Sequence, residues 1–114
     1  MTNYERGDII LVPFPFSNQS TTKKRPAVIV SSARYNATSQ DIVILAVTSK
    51  VDKTSSIGEC LVKDWQRAGL LKPSAIKPAI STIDRNLILR KLGALSHPDL
   101  SAMDRALRDL LGLA

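Results

Sequence analysis

From residue 8 to about residue 95 the apolar positions come in short, β-branched runs. Asp8-Ile9-Ile10-Leu11-Val12, Ala27-Val28-Ile29-Val30 and Ile42-Val43-Ile44-Leu45-Ala46-Val47 are each bounded by polar or turn-forming residues and predict three strands. Runs this apolar leave little for water on either face, so a closed or tightly covered sheet is expected. Residues 59–62, 74–80 and 92–95 predict three more strands.

The pattern changes in the last eighteen residues. Leu100, Met103, Leu107, Leu110 and Leu111 recur at three- and four-residue steps and make one apolar helix face. Ser96 is its natural cap, with Asp99 completing a capping-box-like pair. A shorter helical turn is expected at residues 63–68, ended by Gly69 and anchored by Trp65. Between the first two strands, residues 13–24 hold two prolines and a string of small polar residues, which predicts a long loop, and long loops in compact domains are usually functional or mobile. Together these elements describe a mainly β fold with a C-terminal helix, a small barrel or half-barrel forming a single domain over residues 1–114.

Composition narrows the function classes. No apolar run is long enough to cross a bilayer, and residues 1–6 lack the apolar core of a secretory signal, so a cytoplasmic protein is expected. Cys60 is the one cysteine; it reads as a small apolar residue and excludes an internal disulfide. The net charge is +6, and the C-terminal eighteen residues contribute none of the excess, holding two arginines against three aspartates. A basic body favours a polyanionic partner.

Familiar catalytic patterns are missing. There is no phosphate-binding glycine loop, no Gly-x-Ser-x-Gly elbow and no metal-ligand spacing, and the single His97 stands before Pro98 at the start of the last helix. Cations and hydroxyls remain. Pro26 pushes Arg25 into an extended conformation at the mouth of a strand, where a guanidinium presents paired donors to a phosphate. Lys23 and Lys24 extend that cluster. Thr48-Ser49-Lys50, at the end of the third apolar run, is a second phosphate or oxyanion candidate. On residues alone, a solvated basic turn is an equally open reading of the first group, and ordinary strand-end capping is the favoured reading of the second.

Arg6-Gly7-Asp8-Ile9-Ile10-Leu11-Val12, then Lys24-Arg25-Pro26-Ala27-Val28-Ile29-Val30, then Val47-Thr48-Ser49, Ala68-Gly69-Leu70-Leu71-Lys72-Pro73-Ser74, Ser81-Thr82-Ile83-Asp84 and Leu92-Gly93-Ala94-Leu95-Ser96 resemble the PemK/MazF toxin family in order and spacing. The resemblance spans essentially the whole chain. It implies an SH3-like barrel, of the kind also used by CcdB plasmid-maintenance toxins, usually as a homodimer. It implies a cofactor-free, metal-independent endoribonuclease that cuts single-stranded RNA at a specific sequence, leaving a 2′,3′-cyclic phosphate and a 5′-hydroxyl. It implies a cognate antitoxin as partner, and operator DNA contacted through that complex. Residue by residue, it assigns Arg25 and Thr48 as the catalytic pair; Gln19, Ser20, Lys23, Lys24, Ser49, Lys50 and Lys77 are the RNA-binding candidates around them. The family's usual Asp and Gln match Pro78 and Ala79 here, and an arginine used by some members matches Ile76. A catalytically weak barrel that only binds its antitoxin is the alternative.

Overall fold

The computed structural model describes residues 3–14, 23–51 and 56–114. Six strands, β1 (Asp8–Phe14), β2 (Lys23–Ile29), β3 (Asp41–Thr48), β4 (Cys60–Val62), β5 (Ser74–Asp84) and β6 (Arg90–Ala94), form one sheet in the order β4-β5-β3-β2-β1-β6. Every neighbouring pair is antiparallel. Two helices accompany them, α1 (Ala33–Thr38) and α2 (His97–Leu111). Among the described residues no helix is long and apolar enough to cross a membrane.

The apolar runs bury both faces of the sheet because alternate residues feed two cores. Ile9, Val28, Leu45, Val47 and Ile76 face Met103 of α2, with Trp65 and Leu100 packed against them. Their neighbours Ile10, Val12, Ala27, Ile29, Ile42 and Ile44 face the other way, under Tyr4, Leu87 and Ile88. Ten of these strand residues have 1% or less of their surface exposed, which explains runs with no polar alternation.

The sheet curls until its edges approach through the segment after β4. A Cβ on Gly69 would lie 2.1 Å from the Leu92 carbonyl oxygen, and one on Gly93 would lie 2.4 Å from that of Ala68. Two glycines therefore let backbone meet backbone, and Gly69 also takes a φ of +84° closed to most side chains. This is the expected small barrel with its closing helix.

Several boundaries differ from expectation. Residues 63–69 form successive turns in place of a helical turn: Gly69 N–H donates to Gln66, Ala68 to Asp64 and Leu70 to Trp65, bonds of three different spans that build no regular ladder. Ser96 caps α2 as expected, but the buried Asp99 carboxylate does not reach back to it. It accepts from the Lys63 and Asp64 amides at 3.0 and 2.8 Å, stapling the turn to the helix. Strands β1 and β2 run into the expected loop, pairing Pro13 with Lys24 and Phe14 with Lys23. Helix α1 was not expected from the apolar pattern. Its Asn36 is buried and bridges Ser31 and the Tyr4 carbonyl.

Candidate active site

Pro26 organises the open end of the barrel. Val30 donates to Val43, so the even-numbered residues of β2 turn their backbone toward β3. Pro26 lies on that side without an N–H, and the β2–β3 pairing ends at Ala27 and Ala46. Beyond it, a cavity of about 170 Å³ lies between the strands, lined by Arg25 to Ala27, Ala46 to Thr48 and Val12. Continuing the β2–β3 register two residues sets Arg25 opposite Thr48, and Arg25 already pairs with Val12 of β1. Val12, Arg25 and Thr48 thus occupy one row across three strands, on one face.

On its other edge, strand β3 pairs with β5 along its length. That ladder shifts between Leu45–Ile80 and Val47–Ile76, leaving extra residues on β5 around Lys77, Pro78 and Ala79. Pro78 stands in this bulge, where a missing donor costs least. The bulge brings Lys77 to a second cleft with Thr48, Lys50 and Val51. The Lys77 ammonium is 3.0 Å from the nearly buried Glu59 carboxylate, which holds it at that position. The Thr48 hydroxyl accepts from the Lys50 amide at 3.1 Å, which orients it and leaves its hydrogen to donate elsewhere.

Around the rim, Arg25 also lines a larger cleft of about 430 Å³ with Lys24, Ser49, Lys72 and Arg90. Among the described residues four cations and no carboxylate line it, a composition that draws polyanions. Arg25, Thr48, Lys24, Ser49, Lys50 and Lys77 therefore gather at one end of the molecule, and Lys23 begins β2 beside them, exposed. Gln19 and Ser20 lie outside the described residues. Sequence reasoning missed Lys72 and Arg90. Neither belongs to a local motif, and both reach the cleft through topology, Arg90 by pairing with Leu11 beside Pro26.

Cys60 stays a thiol. Burial, aided by the Asp99 charge, pushes its pKa up to about 11, in line with a packing role. His97 is exposed at the first position of α2, and Ser96 does the capping.

Residues 5–111 match the model of a family described as PemK-like, MazF-like toxin of type II toxin–antitoxin systems. A probable endoribonuclease MazF from Mycolicibacterium smegmatis is 28% identical over 95 residues, covering 82% of this chain and 85% of that protein. Among solved structures, a MazE–MazF crystal form from Deinococcus radiodurans superimposes with a TM-score of 0.78 at 19% identity, over 99% of this chain and all of that one. The Mycobacterium tuberculosis toxin MazF-mt6 gives 0.77 at 19% identity, over 94% and 98% of the two chains. At these identities the superpositions speak for the fold.

Proposed function

The chain belongs to the PemK-like, MazF-like toxins of type II toxin–antitoxin systems and is an endoribonuclease; we propose that it cuts single-stranded RNA at a specific sequence, with Arg25 and Thr48 as the catalytic pair. The observation that carries this reading is the pairing gap at Pro26, which leaves a guanidinium-bearing strand end opposite a hydroxyl in one cavity, beside a cleft lined by further cations.

RNA brings its own nucleophile. The ribose 2′-hydroxyl gives its proton to water as its oxygen attacks the adjacent phosphorus, the bond to the 5′-oxygen breaks, and that oxygen takes a proton from water and leaves as a 5′-hydroxyl. The other product is a 2′,3′-cyclic phosphate. Arg25 holds the charge that builds on the phosphorane and donates a hydrogen bond toward the leaving oxygen. Thr48 donates to a non-bridging oxygen, its orientation fixed by the Lys50 amide. Lys24, Lys50 and Lys77 with Ser49 position the flanking strand. In the same reading the protein acts without metal or cofactor, as a cytoplasmic homodimer. Its cognate antitoxin inhibits it and carries it to operator DNA. Solved neighbours of this fold include an endoribonuclease in complex with its cognate antitoxin, which supports that partnership.

The test is an RNA with 2′-deoxyribose immediately 5′ of the cut. It should bind within about tenfold of normal RNA, since one lost hydrogen bond is worth about 1 kcal/mol, yet resist cleavage. Chelator should leave cleavage of the normal strand unchanged, and mass analysis should find the cyclic phosphate. Cutting of the deoxy strand at the same bond and rate would assign the attack to water or a side chain.

A further inference from the structure

The 430 Å³ cleft extends well past the Arg25–Thr48 row, and the catalytic reading leaves its far wall unused. That wall is built by β6 and by the turn after β4. Arg90 pairs with Leu11, which pairs with Pro26, so the three form a row on the opposite face from Arg25 and Thr48. Two strand spacings, roughly 10 Å, separate the Arg90 and Pro26 backbones. Lys72 faces the same space, and neither its side chain nor that of Arg90 has a hydrogen bond or ion pair among the described residues. Beside them Leu71 is 93% exposed, the most exposed large apolar side chain among the described residues, although the adjacent Leu70 is buried in the core. Packing within the chain does not explain an apolar side chain held out in a cleft lined by cations.

Resting on the proposed cleavage of RNA, we propose that Arg90, Lys72 and Leu71 form a subsite for the nucleotide next to the cut. Arg90 and Lys72 hold its phosphate, and Leu71 gives an apolar platform for its unstacked base. The cleft is continuous with Arg25, so the occupant beside a phosphate bound there is the next phosphate of the same strand. The paired donors of Arg90 suit a phosphate, and single-stranded bases are recognised on exposed side chains of this kind. The wall itself is rigid: Asp99 staples the turn to α2, and the Gly69–Gly93 approach fixes it to β6.

The experiment measures anisotropy of a fluorescent mixed-sequence single-stranded oligodeoxynucleotide, which binds without being cut, across a salt series. Arg90→Gln with Lys72→Gln should weaken binding about tenfold and reduce the slope of log affinity against log salt by about one to two. Arg90→Lys should restore part of the affinity. Leu71→Ser should weaken binding with no change of slope. All three positions are exposed, and thermal melts will show that the variants fold. Unchanged affinity in both Arg90→Gln/Lys72→Gln and Leu71→Ser would overturn the subsite. Loss of binding to an acidic peptide alone would overturn it too, reassigning the wall to a protein partner. If the wild type binds the strand and the variants weaken it, yet normal RNA is never cut, the subsite stands and the cleavage reading fails.

Discussion

The two ends of the barrel treat their cations differently. At the end where β3 starts and β5 finishes, three of the cations find partners inside the molecule. Arg6 donates to the Val30 carbonyl and pairs with Asp104, Lys91 pairs with the buried Asp8, and Arg85 donates to the Ser39 carbonyl and lies 5.6 Å from the centre of the Tyr4 ring. At the other end, Lys24, Lys50, Lys72 and Arg90 have no side-chain partner among the described residues, and they share clefts. Isolated surface cations occur elsewhere, as at Arg34 and Arg67. Gathering several around one cavity costs mutual repulsion, a cost offset when an anion binds. One end ties its cations into the fold, and the other leaves them exposed around clefts.

Substitutions at the two ends should therefore separate activity from stability. Arg25→Ala is expected to lower the cleavage rate by about 100- to 1,000-fold, as for loss of one transition-state donor, with an unchanged melting curve. Near-full cleavage by a folded variant would remove Arg25 from the mechanism. At the opposite end Asn36→Ala strands the groups its amide bridges and should cost roughly 2–3 kcal/mol in denaturant unfolding. Its cleavage rate per folded molecule should match wild type, and a selective loss of rate would show that the ends are coupled.

Smaller effects sharpen the contrast. Lys23→Gln with Lys24→Gln should flatten the salt dependence of RNA binding by roughly one to two units of slope, whereas Arg34→Gln near the far end should leave it unchanged. Equal effects would make the basic character diffuse. The smallest expected effect is a pH dependence. Hydrogen bonds from the Asn86 amide and the Gln40 side chain lower the pKa of Asp84. A carboxylate with a lowered folded-state pKa adds stability above its unfolded value, about 3.9, and loses it as pH falls through the lower folded value. Unfolding titrations below pH 4 should show this contribution fade in wild type and be absent in Asp84→Asn.

The sequence was most legible where burial dictated it. Both-sided burial made the β-branched runs visible, and α2 announced itself by spacing. Helix α1 escaped notice because Arg34-Tyr35-Asn36-Ala37-Thr38 has no apolar stripe; one buried amide holds it, and hydrophobic periodicity does not record amides. The strand extensions at Pro13 and Lys23 were hidden by loop-like composition, their pairing being imposed by the register of the core behind them. Arg25 could be found because Pro26 marks it locally. That the same proline opens the cavity required knowing which way its missing N–H points. Arg90 and Lys72 carry no local mark, since what places them is the pairing of β6 with β1 and the turn stapled by Asp99.

The seam between Gly69 and Gly93 has a consequence for timing. Walls of the larger cleft come from β1, β2, the end of β3, the turn after β4 and β6, stretches strewn from residue 11 to residue 92. Chains emerge from the ribosome in order, at about 5–20 residues per second, and contacts between distant segments form late. A nascent chain carrying Arg25 and Thr48 alone lacks β6, the closing seam and the helix that staples it. The cleft therefore forms only after the chain has been made past residue 92, and a ribosome that stalls midway releases a chain without it.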